Sequence, residues 1–214
     1  MRVRPIAGCV GYILCLLDMI SNTSINQNLI PFVIDHILQQ TNSQGKIIVT
    51  VTTHPVKRAS STGIRPLLRS GGVPLPELKY FDLIAEEQFS NGIYILFKDE
   101  NPYYIGKCSS RAIVDRIGSH MDLRQSGIIN CMVKRTAQQV LNPQSNRNLS
   151  SFSSSEIENA ALPVLLSLKL FYIPLVNNPH IEDVEKSLIA ELQPTLQKGY
   201  SKTLAKRYEL ITIQ

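Results

Sequence analysis

Cysteine is scarce and poorly spaced for anything that cysteines do together. Cys9, Cys15, Cys108 and Cys131 form no CxxC pair, and no Cys/His cluster has zinc-ligand spacing. This excludes a zinc ribbon or finger, and four scattered thiols in 214 residues point to a reducing, cytoplasmic setting. Long hydrophobic runs are also lacking. The most apolar segment, 5–20, follows Arg2 and Arg4 and is interrupted by Asp18. It is too short and too broken for a membrane span, and a buried helix is expected there. Ile6-Ala7-Gly8-Cys9 mimics a lipoprotein box, but it precedes the hydrophobic segment instead of following it. No membrane partner is expected; a membrane-tethered form is the alternative reading of that run.

Acidic residues are missing from three long stretches. None lies between Asp35 and Glu77, where Lys46, Lys57, Arg58, Arg65 and Arg69 fall. None lies between Asp122 and Glu156, which enclose Arg124, Lys134, Arg135 and Arg147. After Glu191 the only acid is Glu209, among Lys198, Lys202, Lys206 and Arg207. Basic stretches without internal acids keep their attraction for phosphate, and the net charge of +5 fits a polyanionic partner. Solvated loops have the same composition.

What is present is enough for a core. With 43% hydrophobic and 18% charged residues, the chain suits one good-sized domain or a compact catalytic domain with an extension. The apolar spacing predicts a helix over 28–40, with Pro31 near its first turn. The β-branched run at 46–53 reads as a strand, and the Pro/Gly/Ser-rich stretch 54–76 as loop or linker. From residue 89 the pattern sharpens. GIYILF (92–97), a turn at 98–102 and a second strand from Tyr103 predict a hairpin. Ser109 and Ser110 are candidate N-caps for a helix carrying Ile113, Val114, Ile117 and Met121. The polar stretch 142–155 reads as a loop, and 169–175 as a third strand. Asn178-Pro179 would cap a helix with Val184, Leu188, Ile189 and Leu192 buried, ending before Pro194. The expected architecture is α+β, with a small antiparallel three-stranded sheet flanked by helices.

Two tripeptides stand on the hairpin: Gly92-Ile93-Tyr94, then Tyr104-Ile105-Gly106 followed by Lys107, with tyrosines ten positions apart. Either alone is commonplace. Together, in this order, they resemble the signature of the GIY-YIG nuclease superfamily. Arg116 and His120 stand four apart on the next helix, matching the family's arginine and its companion. Glu185 matches the metal-binding glutamate near the start of a later helix. Twelve residues on, the family has asparagine where this chain has Gln197, an amide on a longer arm. The resemblance covers 89–197, with an expected insertion at 121–160, and leaves 1–88 as an N-terminal extension for DNA binding or dimerisation. Residues 89–214 would then form the nuclease domain.

The resemblance implies hydrolysis of a DNA phosphodiester with Mg²⁺ or Mn²⁺ on Glu185, whose hard oxygen suits either ion. Arg116 would stabilise charge developing on the phosphate. Tyr94 would be the general base, a role that an ordinary phenol fills badly unless a cation such as Lys107 favours the phenolate. Tyr104 and His120 would position groups or shuttle protons, and Gln197 would support them. The compact core with decorations is most like restriction-type members, which cut double-stranded DNA and commonly act as homodimers. Asn, Gln and Arg in the insertion suit major-groove readout. Alternatives are a structure-specific, repair or mobile-element nuclease, and a catalytically silent nucleic-acid-binding module.

Overall fold

The computed structural model describes residues 28–55, 63–68, 71–78, 91–109, 111–121, 132–141, 151–175 and 179–213. The apolar run at 5–20, Ser110, Asn178 and residues 142–150 lie outside these, so the expectations placed on them do too.

Two antiparallel strands come first, β1 (Phe32–Thr41) and β2 (Ile47–Pro55). The strand expected at 46–53 is β2. The helix expected over 28–40 is instead β1, and the reason is local. The pairing shifts register between Ile34 and His36, so one extra residue separates the inward positions. Phe32 and Ile34 point inward at strand spacing, and Ile37 follows three residues later. A bulge therefore turned a period of two into something that looked helical.

The stretch 54–76, expected to be loop, contributes a helical turn α1 (Ile64–Leu67) and a two-residue strand β3 (Val73–Pro74). Ile64, Leu67 and Leu68 are buried, so this segment holds part of the core despite its Pro/Gly/Ser content.

The hairpin forms as expected from β4 (Gly92–Lys98) and β5 (Asn101–Cys108), with Asp99 at φ 55° in the turn. Tyr94 pairs with Gly106 and Leu96 with Tyr104, after which the register shifts. Next come α2 (Ile113–His120), α3 (Met132–Leu141) and α4 (Ser154–Leu166). Helix α2 is capped by Ala112 with no side-chain cap, not by Ser109. Strand β5 pairs as far as Cys108, so the chain must leave the sheet and turn before a helix can start. Within 121–160, α3 buries Met132, Val133 and Ala137. Residues 154 and 155, expected as loop, open α4 through a capping box between Ser153 and Glu156.

Strand β6 (Leu168–Pro174) pairs antiparallel with β4, placing Tyr172 beside Tyr94. Helix α5 (Ile181–Leu192) buries Val184, Leu188, Ile189 and Leu192, as the spacing required. It starts two residues later than Pro179 would place it, with His180 as N-cap accepting from the Asp183 and Val184 amides. A 3₁₀ turn (Thr195–Gln197), α6 (Lys198–Ala205) and β7 (Tyr208–Ile213) complete the fold.

The chain is thus mixed α/β with two sheets. One has the order β3-β6-β4-β5 and contains the expected antiparallel trio β6-β4-β5. The other, β1-β2-β7, was not expected; β7 joins β2 in parallel. Central β4 is buried on both faces. Ile93, Ile95 and Phe97 meet α5 and residues of β1 and β2 on one side. Tyr94 and Leu96 meet α2, α3 and α4 on the other. Among the described residues no helix is long and apolar enough to cross a membrane.

Candidate active site at the edge of β5

Strand β5 has β4 on one side only, so its outer edge is where elements from both faces can meet. Tyr94 projects from β4 on the face covered by α2 and is 2% exposed. Its hydroxyl lies 2.5 Å from His120 Nε2. Tyr104, two strand positions away and half-buried, completes a ring triangle. Its centroid lies 6.1 Å from Tyr94 and 5.0 Å from His120, the latter edge-on, while Tyr94 and His120 are 5.8 Å apart.

The glycines of the two tripeptides follow from these rings. Tyr94 pairs with Gly106 across the hairpin, and its ring and hydroxyl occupy the space that a Cβ on Gly106 would need. Gly92 is fixed in the same way from the other strand. A Cβ there would fall 2.6 Å from the Tyr172 hydroxyl and 2.5 Å from the Ile173 carbonyl oxygen. Each glycine is a slot through which a neighbouring strand's tyrosine crosses.

Burial sets the ionisation of this cluster. It is the main reason the Tyr94 hydroxyl is held far above the ordinary tyrosine range, with the Tyr104 hydroxyl next and Arg116 opposing both. Tyr104 is raised by burial and by the Glu185 charge, and Arg135, the Tyr94 hydroxyl and Arg116 draw it back. Burial, then Arg116 and Arg135, push His120 down to about 4. His120 is therefore a neutral imidazole at pH 7, able to accept the Tyr94 O–H through Nε2. The cation that favours the Tyr94 phenolate is Arg116, rather than Lys107. Cys108, at the end of β5, is a buried free thiol pushed up to about 12 by burial, which leaves it inert.

Arg116 lies one helical turn before His120 on α2. Its Nε is buried and has no hydrogen-bond partner among the described residues. A buried guanidinium nitrogen without a partner is costly in isolation and is suited to an incoming oxyanion.

Lys107 and Glu185 approach from the opposite face of β5. Lys107 Nζ lies 3.5 Å from Glu185 Oε2 and 3.4 Å from Glu182 Oε2. Glu182 is well exposed, whereas the Glu185 side chain is 19% exposed beside the fully buried Val184. Burial pushes the Glu185 carboxyl up; Lys107 and, more weakly, Arg116 pull it back. The Glu185 charge in turn raises both tyrosines, so the two faces of β5 act on one another.

Gln197 is placed differently. Its Oε1 accepts from the Ile105 N–H at 2.9 Å and its Nε2 donates to the Ile105 carbonyl at 3.0 Å. It thus extends the sheet by one amide along the free edge of β5 and anchors the 3₁₀ turn there. Of the seven candidate residues, Tyr94, Tyr104 and His120 form one contact cluster with Arg116 a helical turn from His120, Lys107 and Glu185 pair on the opposite face of β5, and Gln197 supports the strand between them.

Three residues escaped sequence reasoning. Tyr172 was lost in an apolar strand, with no local signal that it would pair with Tyr94. Arg135 lay in an acid-free stretch, but nothing in the sequence tied it to Tyr104. Tyr200 carried no signal at all. Beside Tyr104, a groove of about 470 Å³ is lined by Arg135, Leu196, Gln197, Gly199 and Tyr200.

Comparison of the chain with protein-family models, curated proteins and solved structures finds no match.

Proposed function

We propose that this protein is a metal-dependent endonuclease of the GIY-YIG type, hydrolysing phosphodiester bonds of double-stranded DNA with a restriction-type, sequence-specific mode. The observation that supports this most is convergence. Tyr94, Tyr104, Arg116, His120 and Glu185, singled out by motif, come from β4, β5, α2 and α5 to one edge of the sheet. Cutting both strands by this reading calls for a homodimer.

The residues fit a hard divalent cation. Glu185 offers oxygen donors, and its buried charge is compensated chiefly by Lys107 at 3.5 Å. Among the described residues no three His, Cys, Asp or Glu side chains gather into a multidentate site. A single carboxylate is in keeping with Mg²⁺ or Mn²⁺, which retain waters and share phosphate oxygens. Glu185 would hold the ion, which would supply positive charge to offset that of the phosphate and the leaving oxygen.

The other steps fall to the chain's own groups. Arg116 Nε binds a phosphate oxygen and stabilises the added charge as water attacks. Tyr94 takes the proton from that water while its own hydroxyl proton moves to His120 Nε2. The O–H bond of water breaks as its oxygen bonds to phosphorus, the P–O bond to the leaving oxygen breaks, a new Tyr94 O–H forms and imidazolium results. The relay avoids a free phenolate, and the imidazolium, disfavoured by burial and by Arg116, passes its proton on to the leaving oxygen. Tyr104, the more exposed tyrosine, orients the incoming strand.

Digestion of mixed plasmid and phage DNA with Mg²⁺ tests the reading. Discrete fragments are expected. A smear or nicking would retain the nuclease and remove the restriction mode; intact DNA with binding preserved would identify a silent binding module.

A further inference from the structure

The groove beside Tyr104 brings Arg135, Gly199 and Tyr200, to which the phosphodiester chemistry gives no role, against Tyr104 and Gln197. Its walls come from β5, from α3 and from the start of α6. Tyr200 is 49% exposed, an aromatic residue left half-open to solvent in the groove wall. Gly199, next to it, is not demanded by packing. A Cβ there would meet no atom within 4 Å, although glycine within a helix carries a cost relative to alanine. The missing side chain keeps this part of the groove wall low and open. Arg135 closes the other side, near enough for its charge to act on both Tyr104 and His120.

An open groove with an exposed aromatic ring and an arginine has the chemistry of a single-stranded nucleotide site. Bases of any identity stack on tyrosine, and guanidinium holds the adjoining phosphate. A volume of about 470 Å³ is within the range of small-ligand sites. We propose that this groove takes one unpaired nucleotide of the strand being cut, its base stacked on Tyr200 and its phosphate held by Arg135. The inference rests on the nuclease reading and adds that the bound duplex is unpaired at one position next to the scissile bond, its base drawn out of the stack. It also gives α3, in the segment read as an insertion, a direct part in substrate binding.

The test uses the full chain in EDTA, with anisotropy of a fluorescein-labelled oligothymidylate. Tyr200→Ala, Gly199→Leu and Arg135→Gln are compared with wild type, and urea melts confirm folding. Tyr200→Ala and Gly199→Leu should each weaken binding about tenfold or more, whereas Tyr200→Phe should bind within about twofold of wild type. Arg135→Gln should reduce the salt dependence by about one phosphate contact. Mg²⁺-dependent plasmid cleavage is measured in parallel. Wild-type affinity in all three variants would overturn the groove assignment, and retained cleavage would leave the nuclease reading standing. A wild type that neither binds the oligonucleotide nor cuts DNA would overturn both.

Discussion

Gly106 has no side chain because the ring of Tyr94, its partner across the hairpin, occupies the place where that side chain would begin. The two tripeptides are thus one structural unit: the tyrosine of the first requires the glycine of the second. Gly106→Ala should force the Tyr94 ring away from His120 and cost about 1–3 kcal/mol, as overpacking does. Gly118→Ala, on the exposed side of α2 where a Cβ meets nothing, should be neutral or stabilise by up to about 1 kcal/mol. Urea midpoints of the two variants check the contrast.

Tyr94→Phe removes the hydroxyl that contacts His120 while keeping the ring in place. Turnover should fall by about 10²–10⁴-fold, with little change in DNA affinity. Near-wild-type cleavage by this variant across pH would end the relay mechanism.

The neutral state of His120 has a consequence for stability. Its folded pKa, about 4, lies below the ordinary 6.5, so the unfolded chain binds the proton more readily. Its contribution is complete above pH 6.5 and is lost as the pH falls from there through about 4, by at most about 3 kcal/mol. Below that the loss levels off. His120→Gln should flatten this part of the stability profile, measured as urea midpoint between pH 7 and 4.

Lys107 lowers the carboxyl of Glu185 against the effect of burial. In Lys107→Met, Glu185 should protonate at a higher pH than in wild type. The acid limb of the Mg²⁺-dependent rate should therefore move upward. An unmoved limb would dissociate Lys107 from the ionisation of Glu185.

Gln197→Ala leaves the Ile105 N–H and carbonyl without their side-chain partner and should cost about 1–3 kcal/mol. Asparagine, one methylene shorter, should restore less than the full amount. Equilibrium unfolding of both variants decides.

The hairpin, the third strand and α5 were legible because their signals are local: unbroken apolar strands, tight turns and a helical stripe ending at proline. Strand β1 was not, because its bulge shifted Ile37 onto helical spacing. Strand β7 has six residues whose pairing partner lies far back at Ile47–Thr52, a long-range relationship that periodicity does not carry. The site divides similarly. Motif spacing identified Tyr94, Tyr104, Arg116, His120 and Glu185, which the fold gathers at one edge. Lys107 was legible as a cation, but its ion pairs with Glu182 and Glu185 depend on the distance between β5 and α5. The groove lined by Arg135, Gly199 and Tyr200 depends on three elements meeting and had no sequence signature.

The most direct test is single-turnover cleavage of supercoiled plasmid by wild type and Glu185→Ala, with Mg²⁺ and with EDTA. Cleavage should require Mg²⁺, and the variant should be slower by at least about 10²-fold while keeping its wild-type circular dichroism. Equal rates in a folded Glu185→Ala, or undiminished cleavage in EDTA, would contradict a metal-dependent nuclease centred on Glu185.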